Sequence, residues 1–151
     1  SNGLLSRLEP SQVEYHKLPG LLPGRGAMVM RLGTTDPIVI IVLHLALGTK
    51  TQVEQLSYIQ NLVADARHVV IMGDLNNQAK YLLTKTPLAD INFQSVDPML
   101  HTFPSWQPRR GLDHILVSES LNINKVAVLN TPISDHLPIA MQIELPHDII
   151  I

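Results

Sequence analysis

The 151-residue sequence contains no cysteine and comparatively few charged residues. The lack of cysteine excludes a disulfide scaffold, a thiolate zinc site and a cysteine nucleophile. Charged residues make up 16% of the chain, with 11 Lys and Arg against 13 Asp and Glu, whereas an average domain has about 25%. This balance excludes a protein that coats nucleic acid through clustered basic residues. A polyanion would therefore have to be bound by local groups or through a metal ion.

Long hydrophobic segments are also missing. The longest apolar run, Ile38–Leu43, is far shorter than the about 20 residues of a membrane-spanning helix, and no signal-peptide pattern opens the chain. We therefore expect no membrane span, no disulfide partner and a cytoplasmic location, while the oligomeric state stays open. Apolar residues make up 45% of the sequence, which excludes a disordered chain and predicts one domain with a buried core.

Hydrophobic patterning predicts one clear helix and a hairpin. Two strands over Ala27–Leu32 and Ile38–Leu43, joined by a turn at Gly33–Pro37, form the predicted antiparallel hairpin. The segment Thr51-Gln52-Val53-Glu54 matches a capping box, in which the Thr and Glu side chains bind free backbone N–H groups. It predicts the start of an amphipathic helix over about Gln52–Ala66.

The remaining elements are shorter. Pro10–Gly26 is predicted as a loop because proline and glycine recur in it, and Gln78–Leu83 as a short helix. Further strands are predicted at His68–Met72, Ile115–Val117, Val126–Leu129 and Ile139–Leu145. The sequence therefore predicts an α+β fold with a packed sheet core rather than a regular βαβ series.

Side chains that can do chemistry lie at the ends of the predicted strands, where a rigid sheet commonly positions catalytic groups. They are His44, Asp74, Asn76, Asp113, His114, Asp135 and His136. Asp74 and Asn76 are two residues apart, so in an extended segment they would face one ligand. The alternative is an ordinary turn at the end of a strand.

Two further patterns each have two interpretations. Asp135 and His136 are neighbours, so on a strand they would point to opposite faces and meet different groups. The alternative is a surface turn closed by Pro138. Arg109 and Arg110 precede Asp113, which at the head of a buried strand could accept a hydrogen bond from an imidazole and fix its tautomer. The alternative is a local salt bridge, which is weak at a surface.

Several carboxylates brought close together cannot all stay ionised in a dry site without a cation. Oxygen ligands favour a hard divalent ion, Mg²⁺ or Mn²⁺, over zinc. The chemistry that this combination indicates is metal-assisted attack of water on a phosphate ester.

Three segments, in the same order along the chain, resemble signature motifs of the endonuclease/exonuclease/phosphatase superfamily, which has the DNase I-like fold. They are Met72-Gly73-Asp74-Leu75-Asn76, Gly111-Leu112-Asp113-His114-Ile115 and Ser134-Asp135-His136-Leu137-Pro138-Ile139. Leu5-Ser6-Arg7, Leu43-His44-Leu45 and Thr102-Phe103-Pro104-Ser105-Trp106 with Arg109-Arg110 agree as well. The resemblance covers nearly the whole chain and implies a four-layer αββα sandwich of two packed sheets.

The resemblance also implies roles for the residues at the strand ends. Asp74 would orient or deprotonate the attacking water, and Asn76 would bind the scissile phosphate and hold Asp74. His136 would contact the phosphate and be oriented by Asp113. His44 would hydrogen-bond the phosphate or assist the leaving group.

The remaining implied roles concern the metal and the substrate. Asp135 would lie on the metal side of the site, and Arg7 and Thr102 would support substrate binding. Arg109 and Arg110 beside Trp106 could clamp a phosphate and stack a base. The alternative for these three is an ion pair at the rim with a half-buried Trp.

One part of the family pattern is missing. No Gln-Glu pair, whose glutamate is the family's main metal ligand, precedes Leu5-Ser6-Arg7. We therefore expect residues 1–151 to be the C-terminal part of one incomplete domain, with weak metal binding and no turnover on its own. The intact protein is predicted to be a Mg²⁺-dependent phosphoesterase of nuclease or phosphatase type. The alternative is a non-catalytic binding domain that retains the fold, and the substrate stays open among DNA, RNA, inositol phosphates and lipids.

Overall fold

The computed structural model describes residues 2–150. Ten elements are formed: β1 Gln12–Lys17, β2 Gly26–Leu32, β3 Ile38–Leu43, α1 Thr49–Leu62, β4 His68–Asp74, α2 Ala79–Lys85, a 3₁₀ helix Pro87–Asp90, β5 Asp113–Val117, β6 Asn122–Val128 and β7 Ile139–Glu144. The α+β class is thereby confirmed. No helix of the described part of the chain combines the length and apolar character needed to cross a membrane.

The first five strands form one sheet in the order β1-β2-β3-β4-β5. β3 and β4 are parallel, and the other neighbours in this sheet are antiparallel. The predicted hairpin of β2 and β3 is confirmed. β3 is buried on both faces, as its run of β-branched residues predicts, because these side chains pack well on a pleated surface.

The two faces of this sheet pack against different layers. One face packs with α1, α2 and the 3₁₀ helix in the larger core, which includes Val39, Ile41, Leu56, Ile59 and Leu88. The opposite face packs against the two-stranded sheet of β6 and β7 through Met30, Leu32, Ile38, Val70 and Val117. Residues 2–150 thus form three successive layers of the αββα sandwich: helix, sheet and sheet.

The capping-box prediction is wrong. Helix α1 begins at Thr49 after Gly48, and no side chain caps its first turn. Two fully buried side-chain amides instead hold the segment that precedes the helix. Gln52 Nε2 donates to the carbonyl of Ala46, and Gln55 Oε1 accepts from the Ala46 N–H. The predicted end at Ala66 is also too late, because the helix closes at Val63, whose N–H bonds the Gln60 carbonyl.

The predicted loop over Pro10–Gly26 contains a strand, β1, which the sequence pattern did not indicate. β1 is an edge strand whose residues are mostly exposed, so it has little apolar patterning. Its six residues are held by pairing with β2 from Gln12–Arg31 to Lys17–Gly26. The predicted helix over Gln78–Leu83 is present as α2, shifted to Ala79–Lys85.

Candidate active site

Two carboxylates meet where β4 ends and β5 begins. Asp74 is the last residue of β4, Asp113 is the first residue of β5, and the two are direct partners in the antiparallel register. Side chains of such partners project from the same face with Cβ atoms about 5 Å apart. His136 joins them, so that ligand atoms of Asp74, Asp113 and His136 all lie within 4.8 Å of one another. We call these three residues the acid–histidine cluster.

Asp113 is held between a histidine and a hydroxyl. His136 Nδ1 lies 2.7 Å from Asp113 Oδ2, and the hydroxyl of buried Thr102 donates to the same oxygen. With its Nδ1 proton directed at the carboxylate, a neutral His136 keeps Nε2 as an acceptor. The His136 ring also packs on Phe103, with ring centroids 4.8 Å apart. His136 is therefore fixed in both orientation and tautomer.

Charges around His136 favour its protonated form. Burial by itself lowers the pKa of His136, but the hydrogen bond that its Nδ1 donates to Asp113 and the charges of Asp113, Asp74 and Asp135 outweigh it, so the net pKa is raised. An imidazolium next to two carboxylates can donate a proton or stabilise negative charge on a bound group.

His44 approaches Asp74 from the end of β3. Its Nε2 lies 3.4 Å from Asp74 Oδ2, and its side chain is 43% exposed. Burial, followed by the charge of Arg25, lowers the pKa of His44 although Asp74 acts in the opposite direction. The site therefore contains two histidines whose pKa values are shifted in opposite directions, which favours different protonation states near neutral pH.

Of the two interpretations of Asp74 and Asn76, the structure shows the turn at the end of a strand rather than an extended segment. Asn76 has a φ of 51°, a left-handed conformation that Asn tolerates better than most residues. Its backbone N–H donates to Asp74 Oδ1 at 3.0 Å, and its side-chain amide donates to the Leu45 carbonyl at 2.9 Å. Asn76 thus orients the Asp74 carboxylate through a turn and ties that turn to the segment after β3.

The close approach of β3 and β4 requires glycine at position 73. Gly73 has a φ of 138°, and a Cβ there would clash with the carbonyl oxygen of Leu43. Glycine at position 73 is therefore a packing requirement that lets Asp74 lie next to His44.

Other predicted site residues lie outside the cluster. Asp135 is exposed, and its Oδ1 accepts from the Ser134 hydroxyl. Arg7 is exposed beside Leu4, Met28 and Met30.

Trp106 does not line the cleft that Arg109 and Arg110 share. Trp106 is 75% exposed. The Arg110 guanidinium lies 6.0 Å from the centre of the Phe103 ring, and both arginines line a separate cleft. Thr102 is fully buried and contacts Asp113 rather than open space.

Two residues for which the sequence predicted no role support the site. Phe103 packs on the His136 ring. His114 is buried, and its Nε2 donates to the Asn77 carbonyl at 2.8 Å, which ties β5 to the turn that holds Asn76. Burial lowers the pKa of His114, which favours the neutral ring. Alternation along β5, which places His114 on the face opposite Asp113, was the available signal for its separate role.

The fold and site define a class of protein in which two packed sheets present acids and histidines at their strand ends. A model of the endonuclease/exonuclease/phosphatase family matches residues 2–136. The chain therefore belongs to this family of phosphoesterases, as its sequence motifs predict.

Solved structures show the same fold. An endonuclease/exonuclease/phosphatase family protein from Leptotrichia buccalis has a TM-score of 0.73 at 16% identity over 93% of this chain and 63% of that protein. A mannosyl-6-phosphatase from Bacteroides thetaiotaomicron has a TM-score of 0.70 at 16% identity over 91% and 67% of the two chains. D. rerio TDP2, solved with a single-strand DNA product, has 0.70 at 14% identity over 91% and 68%.

The chain spans about two thirds of the length of these three solved structures. No curated protein sequence matches it.

Proposed function

We propose that the protein containing this chain is a divalent-metal-dependent phosphoesterase, of nuclease or phosphatase type, in which an activated water attacks the phosphate. The observation that carries the proposal is the meeting of Asp74, Asp113 and His136 within 4.8 Å. A packed core gains nothing from placing two carboxylates together, because each loses hydration and repels the other.

The donor set of the cluster fits a hard divalent ion. Mg²⁺ in proteins is commonly held by one or two carboxylates and retains several waters. Asp113 accepts its hydrogen bonds at Oδ2, so Oδ1 is left to bind a cation. We propose that Asp113 Oδ1 binds Mg²⁺ or Mn²⁺, with Asp135 as a further oxygen donor on the metal side. When bound, such an ion would neutralise phosphate charge and lower the pKa of a coordinated water.

The other catalytic roles belong to side chains of the acid–histidine cluster. Asp74, oriented by the Asn76 N–H, positions the attacking water and accepts its proton. His136, held by Asp113, contacts the phosphate and stabilises charge that develops on it, as its raised pKa favours.

Two more groups would meet the substrate directly. His44, whose Nε2 lies 3.4 Å from Asp74 Oδ2, hydrogen-bonds the phosphate or assists the leaving group. The Asn76 side-chain amide donates one N–H to the Leu45 carbonyl, so a phosphate contact from Asn76 would use the second N–H of the same amide. We keep that contact as a proposal.

A substrate panel with metal controls tests this function. The intact natural protein is assayed with Mg²⁺ or Mn²⁺ on p-nitrophenyl phosphate, bis-p-nitrophenyl phosphate, single- and double-stranded DNA, RNA and inositol phosphates. We expect hydrolysis of at least one ester that chelation abolishes and added metal restores. The absence of hydrolysis throughout the panel would favour the non-catalytic binding domain.

Matched variants connect any activity to this site. Asp74→Ala and His136→Ala should each remove the activity, whereas Lys125→Ala, an exposed change on β6, should preserve it. Unchanged activity in both cluster variants would refute the site assignment. Residues 1–151 are assayed in parallel, because their lack of turnover stays a prediction.

A further inference from the structure

A second cleft lies on the helix-facing side of β5, away from the acid–histidine cluster. It has a volume of about 820 Å³ and lies between α2, segment 93–101 and Arg109–Gly111. This volume is within the about 300–1,000 Å³ range of small-molecule sites. Neither Asp74, Asp113 nor His136 lines the cleft, so its occupant need not be the group that undergoes hydrolysis.

The floor of the cleft is apolar and held in place by the core. Leu83, Phe93, Val96 and Leu100 line it and are all partly buried. The first three of these residues also pack against the larger hydrophobic core. An apolar group that covers this floor would remove hydrocarbon surface from water, which is favourable.

The rim of the cleft is basic, and its cationic side chains are available to bind an anion. Lys80, Arg109 and Arg110 line the cleft and are exposed. Within residues 2–150 none of these three side chains lies within ion-pair distance of a carboxylate. Adjacent guanidinium groups bind phosphate oxygens through paired N–H donors.

The carboxylates at the cleft do not cancel the positive charge of its rim. The acids Asp97 and Glu119 also line it, so the three cations exceed the carboxylates by one. Asp97 Oδ1 accepts from the Met99 N–H within its own turn. His114 closes the back of the cleft, with Nε2 bound to the Asn77 carbonyl.

We propose that this cleft binds a small organic phosphate that carries an apolar ring. The phosphate lies on Arg109 and Arg110, and the ring lies on Leu83, Val96 and Leu100. Charge complementarity with two unpaired guanidinium groups selects the anion, and the fixed apolar floor selects the ring. Binding at the cleft needs neither the metal nor the acid–histidine cluster, so it can be tested independently of the phosphoesterase activity.

A probe without a hydrolysable ester tests the site. Titration of 1-naphthylmethylphosphonate into the metal-free protein, followed by calorimetry and by methyl NMR, should show saturable binding. The methyl signals of Leu83, Val96 and Leu100 should shift, and inorganic phosphate should bind about tenfold more weakly because it lacks the ring.

Charge-matched variants locate the anion. Arg109→Gln with Arg110→Gln should weaken probe binding by about tenfold to a hundredfold, since charge-assisted hydrogen bonds are lost. The control removes two exposed charges elsewhere, Lys50→Ala with Lys125→Ala, and should change binding by no more than about twofold. Thermal melts of both double variants confirm that each is folded.

Four results would overturn the proposal. They are no binding at millimolar probe, equal binding by the two double variants, equal affinity for inorganic phosphate, and signal changes centred on His136 instead of the cleft methyls. None of these results depends on turnover, so failure here leaves the proposed function to its own assay.

Discussion

The two ends of β4 carry similar sets of side chains in different surroundings. At its C-terminal end, Asp74 lies with Asp113, His136 and the Thr102 hydroxyl. At its N-terminal end, His68 Nδ1 lies 2.9 Å from the Ser120 hydroxyl, and His68 Nε2 lies 3.4 Å from Asp36 Oδ2. The His68 side chain is 2% exposed, whereas the His136 side chain is 24% exposed.

The difference lies in what the polar groups are bound to. The Ser120 hydroxyl donates to the Arg67 carbonyl, and the Ser118 hydroxyl accepts from the Val69 N–H. These bonds satisfy the backbone at the start of β4. In the acid–histidine cluster the bonds instead orient side chains toward solvent. The same residue types therefore stabilise the strand at one end and can bind a ligand at the other.

The largest expected effect separates the two ends by activity. Asp74→Asn should lower kcat of the hydrolysis found in the substrate panel by about 10³-fold, because a neutral amide cannot accept a proton from water. Ser120→Ala, at the other end, should change kcat by no more than about twofold. Steady-state kinetics on both variants checks the contrast, and a comparable loss in Ser120→Ala would break it.

The next effect concerns the backbone that positions Asp74. Gly73→Ala should lower the free energy of unfolding by about 3 kcal/mol or more, because the added methyl group clashes with the Leu43 carbonyl and the φ of 138° disfavours a side chain. The control is Gly48→Ala, where nothing lies within 4 Å, and it should cost less than about 1 kcal/mol. Guanidinium denaturation compares the two, and equal stabilities would contradict this account.

A smaller effect concerns stability, for which the N-terminal end of β4 should matter more than the C-terminal end. His68→Ala should lower the free energy of unfolding by about 2 kcal/mol, because it opens a cavity and leaves the Ser120 hydroxyl with one partner fewer. His136→Ala should cost less than about 1 kcal/mol, since that ring is partly solvated. If urea melts show His136→Ala to be the more damaging change, His136 serves stability rather than chemistry.

The subtlest test is the titration of the two site histidines in metal-free protein. NMR should show the pKa of His136 above 6.5 and the pKa of His44 below 6.5. Because folding raises the pKa of His136, its contribution to stability is fully present below pH 6.5 and is lost as the pH rises through the folded pKa. His44 contributes in the opposite sense, above pH 6.5, and loses its contribution as the pH falls through its lowered pKa.

Asp113→Asn provides the control for that titration. It removes the charge that raises the pKa of His136, so the His136 pKa should fall, while the direction of the His44 shift should persist. A His136 pKa that is unchanged by Asp113→Asn would show that the 2.7 Å hydrogen bond does not control the protonation of this ring.

The predictability of each element followed the strength of its local signal. The β2–β3 hairpin was predictable because continuous apolar runs flank a turn. β1 was not, because an edge strand with mostly exposed residues shows no such run. The start of α1 was misplaced because buried Gln52 and Gln55 bond the chain at Ala46, and propensity rules do not register such tertiary contacts.

The candidate site divides in the same way. Sequence position alone put His44, Asp74, Asp113 and His136 at strand ends, and the motifs they belong to predicted the family that the family model shows. Their meeting depends on contacts between residues distant in sequence. Asp113 and His136 are separated by 23 positions, and Asp74 reaches Asp113 only through the β4–β5 register.

The sequence by itself determined the α+β class, the family and the kinds of side chain available for chemistry, because hydrophobic periodicity and short motifs are local properties. Only the tertiary structure decided which of those side chains meet. Strand register and loop packing set interatomic distances, and these brought Asp74, Asp113 and His136 together. The same packing gave Asn76 the left-handed backbone conformation with which it orients Asp74. It also placed Arg109 and Arg110 on a separate cleft.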